Sequence, residues 1–346
     1  MIERSLWHPV SLSDLSGHTT LPVRVLGEDL VLWRDTEGCL QALIDRCPHR
    51  GTRLSMGRVS DGCIECPYHG WRFQGDGRCV EIPALPGFAP TDAQRAHRVE
   101  VREQYDVVWV RLQASRSSEV SDGADGSDGS DGSGGADSAV PAFAAETDAR
   151  LRKVNCGPYD VQVSAPRVVE NFLDLAHFAF VHEDWLGERG HSAIPDYRIE
   201  TTDTGFRAVD CRAWQPRSSV NATSGSMVDY TYEVVAPYTA VLTKVPEPDK
   251  VSVEDFREAI ALFVCPVEPE SSRVWFRLAM NDFDSSDERL QAFQNTIFSQ
   301  DRPVLESQRP KRLPLDPRAE AHSAADKGSA AYRRMLRQMN IGFGTC

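Results

Sequence analysis

Two short runs constrain this chain most. Cys47-Pro-His49-Arg-Gly51 is followed by Cys66-Pro-Tyr-His69-Gly70-Trp71, with sixteen residues between His49 and Cys66. Each cysteine travels with a histidine. Two thiolates and two imidazoles hold zinc or an iron–sulfur cluster. A Cys2His2 zinc finger groups its cysteines together and its histidines together, which this spacing does not do. Pro48, Gly51, Pro67 and Gly70 favour tight turns that aim both pairs at one point. The surroundings read as strands. Residues 23–25 and 30–33 flank Gly27-Glu28-Asp29, and Thr36-Glu37-Gly38 turns the chain into 40–44. Residues 71–73 and 79–82 flank Gly75-Asp76-Gly77, and 107–112 is a further strand. Residues 1–118 are therefore expected to form a small all-β domain with its ligands on hairpin tips.

Composition narrows the alternatives. Nine cysteines is an odd number, and five of them fall between residues 39 and 79, so metal is a better reading than a disulfide framework. Cys39, Cys63 and Cys79 stand outside the paired runs and are expected to be small buried hydrophobes. The net charge of -13 argues against nucleic acid as a partner. Six of those charges come from one low-complexity stretch of Gly, Ser and Asp within 119–138, which contains one Glu, five Asp and no base. With no apolar surface to offset its ordering entropy, the stretch predicts a flexible linker over 119–140. No run approaches the ~20 apolar residues that span a bilayer, and the first residues lack the apolar core of a signal peptide. The expectation is a cytoplasmic protein without a membrane partner.

Residues 141–346 read as mixed, giving an α+β chain of two domains. Strands of an antiparallel sheet are expected over 207–214, 228–234, 239–245, 259–264 and 274–280, and helices over 167–182, 287–297 and 331–339. The run Glu170-Asn171-Phe-Leu-Asp174-Leu-Ala-His177-Phe-Ala-Phe-Val-His182 is the informative one. On a helix, Asn171, Asp174 and His177 share one side, and the remaining positions are apolar, so the helix is buried. Buried polar residues must be satisfied. His177 and His182 splay on an ideal helix and meet on one metal only if it bends, widens or ends between them. Two histidines and one carboxylate make the facial triad of non-haem Fe(II) oxygenases. Asp301 is the best carboxylate candidate, and Glu306 competes with it. Asn171 either orients its neighbours or caps a hydrogen bond.

The first pair of runs resembles the Rieske [2Fe–2S] site, in which two cysteines hold one iron and two histidines the other. The ligands would be Cys47, Cys66, His49 and His69. The Asn-x-x-Asp-x-x-His-x4-His run is similar to the catalytic helix of Rieske non-haem iron oxygenase α-subunits. That resemblance implies His177, His182 and Asp301 as ligands of a mononuclear iron. It implies Asp174 as a bridge to a Rieske cluster on a neighbouring subunit, and a catalytic domain of helix-grip type. The length resembles the homotrimeric monooxygenase branch that includes vanillate and dicamba O-demethylases. Val181-His-Glu-Asp-Trp185-Leu-Gly187, Ser307-Gln-Arg-Pro310 and the segment 331–346 look like Rieske oxygenases that tailor saxitoxin-type alkaloids.

The expected activity is therefore monooxygenation of a small molecule by C–H hydroxylation or O- or N-demethylation, using O2 and electrons from NAD(P)H. The implied partners are a separate reductase, a ferredoxin where one is used, and two further copies in a homotrimer. Two rival readings are aromatic cis-dihydroxylation and a Rieske electron carrier or redox sensor with an inactive second domain. The substrate pocket is expected within 207–280, where no motif names its residues.

Overall fold

The computed structural model describes residues 1–15, 19–113 and 139–346, so the acidic run 119–138 lies outside the described residues. The chain divides into two compact units, Ile2–Val140 and Pro141–Cys346.

The first unit is all-β among its described residues apart from short 3-10 turns. Its strands are β1 (His8–Leu12), β2 (Leu21–Val25), β3 (Glu28–Arg34), β4 (Leu40–Ile44), β5 (Arg58–Ser60), β6 (Cys63–Glu65), β7 (Arg72–Phe73), β8 (Cys79–Glu81), β9 (Glu100–Gln104) and β10 (Val107–Arg111). They form three antiparallel sheets in the orders β1-β10-β9, β2-β3-β4 and β5-β6-β7-β8. Val31, Trp33, Leu43, Leu54, Ile64 and Phe73 are fully buried in one core. Cys47 and Cys66 belong to the same cluster, so the loops that carry them are anchored in packed apolar side chains. Cys63 and Cys79 are buried as expected, but Cys39 is exposed in the turn that follows β3. It lies beyond the last packed residue of that strand and has no core to enter.

The second unit holds β11 (Arg152–Val161), α1 (Ala165–Leu173), α2 (Phe178–Val181), β12 (Arg198–Thr201), β13 (Phe206–Gln215), β14 (Ser226–Ala236), β15 (Thr239–Pro246), β16 (Glu258–Glu268), β17 (Ser271–Met280), α3 (Asp287–Ser307) and α4 (Lys327–Gln338). Seven strands make one antiparallel sheet in the order β11-β17-β16-β15-β14-β13-β12. The alternating burial of β14 and β15 shows one face turned to the core. Helix α3 packs on β11, and α1 packs on β15 to β17. Strands β11 and β12 were not anticipated from sequence. Their polar, charge-rich runs carry a weaker period-2 signal than the central strands.

Two helices depart from expectation. The helix expected over 167–182 is broken: α1 ends at Leu173, Asp174 is extended (φ -87, ψ 127), and α2 is a four-residue turn. The Asp174 carboxylate accepts the Ala176 backbone N–H at 2.8 Å, a local turn that competes with the helix. Conversely α3, expected to stop at 297, runs on to Ser307 through Pro303. Ser286 caps its start by accepting from Arg289 N–H, and Asp287 and Glu288 complement the helix dipole there. The extension sets Gln300 and Asp301 on a buried helical turn.

Candidate active site

The break between α1 and α2 brings His177 and His182 together. Their Nε2 atoms are 3.2 Å apart, and Asp301 Oδ1 lies 3.4 Å from the first and 3.2 Å from the second. His182 ends the short helix α2, so the five-residue spacing no longer splays the rings. Atoms bound to one metal at about 2.1 Å stand about 3.0–3.4 Å apart. Among the described residues, this is the group of three or more potential ligands that converges on a point.

The neighbours of these three groups orient them. His182 Nδ1–H donates to Gln300 Oε1 at 2.8 Å, and His177 Nδ1–H donates to Asp174 Oδ2 at 3.3 Å. Each ring thus keeps its Nε2 lone pair for the shared point. Asn171 Nδ2 donates to Asp301 Oδ1 at 3.3 Å, which orients the carboxylate. Three acceptors facing one another are repulsive without a cation between them, and the donor set is that of a 2-His-1-carboxylate iron site. A proton shows the same demand. Burial disfavours the His177 imidazolium, yet bonds to Asp174 and Asp301 outweigh it and push the pKa up to about 9. Burial likewise disfavours the Asp301 carboxylate, but His177 and His182 hold its pKa down to about 2. The competing Glu306 is elsewhere, accepting the Gln162 backbone N–H at 3.0 Å.

Two cavities meet at this site. The apolar one is walled by aromatic side chains such as Phe172, Phe178, Phe276 and Phe298. Its residues come from α1, α2 and α3 as well as from β14 to β17. The polar one is lined by Arg167, Glu170, Asp174, Glu320 and Arg333. Asn171 and His177 line both. Glu170, for which the sequence suggested no role, joins a buried network: Arg333 donates to it at 2.6 Å, and Arg167 and Arg333 also bind Glu320. These ion pairs tie α1 to α4. The signal for Gln300 was its place beside Asp301, and its role shows only once α3 is known to continue.

Close packing holds the loop after His182. A side-chain carbon on Gly187 would lie 2.3 Å from the Phe178 carbonyl and 2.4 Å from Ala179 N. Gly187→Ala is expected to destabilise the protein by about 1–3 kcal/mol through overpacking and to lower iron content by displacing α2. Thermal melts with metal analysis check this; an unchanged melting temperature and iron content would refute it.

In the first unit the paired ligands face two ways. Cys47 and Cys66 are each 2% exposed, with their thiols within hydrogen-bonding reach of each other. His49 and His69 are exposed, with ring centroids 4.7 Å apart. The loops match: Gly51 N–H donates to Cys47 O at 2.9 Å, and Gly70 N–H donates to Cys66 O at 3.0 Å. Gly51 (φ 76) and Gly70 (φ 72) take the left-handed conformation each turn requires. His49 stacks on Trp71 at 4.5 Å. Burial pushes the Cys47 thiol up to about 12, so a metal must supply the charge that ionises it. Thiols within and imidazoles without suit a two-iron cluster with unlike ligands on its two metals.

Comparison with known proteins matches both parts of the chain to known domains. The Rieske [2Fe-2S] domain model matches residues 7–100, and the vanillate O-demethylase oxygenase C-terminal domain model matches residues 161–340. The chain is 30% identical over 342 residues to methylxanthine N1-demethylase NdmA of Pseudomonas putida, covering 97% of this chain and 89% of that one. It is 28% identical over 349 residues to methylxanthine N3-demethylase NdmB of the same organism, covering 98% and 90%. The solved structure of NdmA with caffeine superposes with a TM-score of 0.79 at 29% identity, over 97% of this chain and 90% of that chain. Dicamba monooxygenase bound to dicamba shares the fold, with a TM-score of 0.70 at 21% identity over 97% and 96%.

Proposed function

Because the chain belongs to the Rieske non-haem iron oxygenases, whose members pair a [2Fe–2S] cluster with a mononuclear iron, use O2 and draw electrons from a separate reductase, we propose that it N-demethylates a small heterocycle. The observation that carries the reading is the triangle of His177, His182 and Asp301 set against an apolar cavity. The N-demethylating relatives, matched along nearly the whole chain, support the choice of bond.

When bound, the cluster would supply electrons and the iron would activate O2. Cys47, Cys66, His49 and His69 would hold the first, and His177, His182 and Asp301 the second. Asn171 and Gln300 orient those ligands, and the aromatic walls exclude water. Asp174, in contact with His177 and facing the polar cavity, is assigned as the bridge for electrons from the cluster of a neighbouring copy in a homotrimer. The overall reaction consumes one O2, two electrons and two protons. One oxygen enters a methyl C–H bond, the hydroxymethyl product loses formaldehyde, and the other oxygen leaves as water.

The test is formaldehyde release from N-methylated heterocycles by the iron-loaded protein with NAD(P)H and a surrogate reductase. One formaldehyde per demethylated product is expected, with one labelled atom from 18O2. A cis-diol carrying two labelled atoms would overturn the reading in favour of dihydroxylation.

A further inference from the structure

Away from the proposed iron ligands, the apolar cavity is lined by one member of a buried charge pair. Lys244, on β15, lines it together with Ile260, Phe293 and Gln294. The same four residues line a smaller adjoining cavity that includes Glu258. Lys244 Nζ lies 2.6 Å from Glu258 Oε2, with side chains 6% and 9% exposed, and donates to the Ser218 backbone carbonyl at 2.7 Å. An ammonium carries three N–H donors. One is hydrogen-bonded, to Ser218; Glu258 Oε2 faces the ammonium as an ion-pair partner and itself has no hydrogen-bond partner among the described residues. The Tyr232 hydroxyl, which also lines the cavity, is buried and has no hydrogen-bond partner among the described residues.

Unmet donors in an apolar cavity call for an acceptor. The charge of that acceptor follows from the pair. Lys244 and Glu258 together are neutral. An anion brought to Lys244 would meet the Glu258 carboxylate beside the same nitrogen, and a cation would meet the ammonium. An uncharged acceptor meets neither penalty. The aromatic walls favour a flat partner.

We infer that Lys244 is a specificity-determining residue, selecting uncharged flat substrates that present a carbonyl or ring-nitrogen acceptor. This rests on the demethylase reading of the cavity. The function of Glu258 is to hold the ammonium in place and to turn anions away.

The test is calorimetric titration of the iron-loaded protein with caffeine, which has carbonyl acceptors, and with N-methylindole, a flat methylated bicycle that has none. Dicamba serves as the anionic probe. Removing Lys244 alone would strand a buried carboxylate, so Lys244→Met is paired with Glu258→Leu, a replacement of both charges by apolar groups that preserves folding. Caffeine is expected to bind the wild type more tightly than either other probe. It should lose about 10- to 100-fold in affinity in the double variant while N-methylindole is unchanged. Equal losses for both, no loss for caffeine, tighter binding of dicamba, or no binding by wild type would each overturn the inference. Formaldehyde is measured separately. Lys244-dependent caffeine binding without formaldehyde would remove the demethylase reading and leave the recognition standing. Demethylation that is indifferent to Lys244 would do the reverse.

Discussion

Asp301→Ala is expected to yield a folded protein with about two irons per chain in place of about three, and turnover reduced at least 100-fold, by about that factor or more. Loss of a partner to a ligand already costs about 10–100-fold in metal affinity or activity, and loss of a ligand costs more. Here Asp301 Oδ1 is the one anionic atom at the centre, within 3.4 Å of both Nε2 atoms. Without it two neutral imidazoles face each other and nothing balances a divalent charge. The absorption of the [2Fe–2S] cluster should be unaffected, since its ligands lie in the other compact unit. Metal analysis beside the visible spectrum separates the two centres. A third iron retained at full occupancy in the variant would show that Asp301 is not a ligand.

Asp174→Asn should leave both centres filled and still nearly stop turnover. The isosteric amide retains a carbonyl oxygen that can accept from Ala176 N–H or His177 Nδ1–H, so the chain break and the ring orientation have a route to survive. What disappears is the negative charge. In the native chain burial works against the Asp174 carboxylate, but its bonds to His177 and to the backbone hold its pKa below the ordinary value. It is thus an anion at neutral pH, placed between His177 and the polar cavity. If it carries electrons between subunits, reductase-supported turnover should fall at least about 100-fold with iron content unchanged. Product formed at the wild-type rate in a single turnover of pre-reduced enzyme would remove Asp174 from the route. Loss of the third iron would instead assign it a purely structural role.

Both experiments rest on residues that could be chosen before any coordinates were known, because metal chemistry restricts residue types so strongly. Cys47, His49, Cys66 and His69 are a short, local code, and the turn residues between them are local too. The central strands β13 to β17 were legible for the same reason: alternation needs only neighbouring residues. Helix ends were not. Asp174 breaks the helix through a side chain–backbone bond that competes with helical continuation, and either outcome suits its local sequence. The helix expected over 287–297 runs on through Pro303 to Ser307, packed on β11.

The sequence by itself determined the kind of metal chemistry and supplied the candidate ligand residues, since these depend on donor type and short spacing. Only the tertiary structure brings Asp301, which the sequence already favoured over Glu306, to the two histidines, because that contact depends on how α3 packs. Asp301 faces His177 and His182 while Glu306 caps Gln162. It likewise decided that Gln300 steers His182, that Glu170 ties α1 to α4, and that Lys244 and Glu258 pair beside the cavity. Those contacts join residues as much as 163 positions apart. Distances of that kind are set by how the sheet and helices pack, and no local pattern in the chain encodes them.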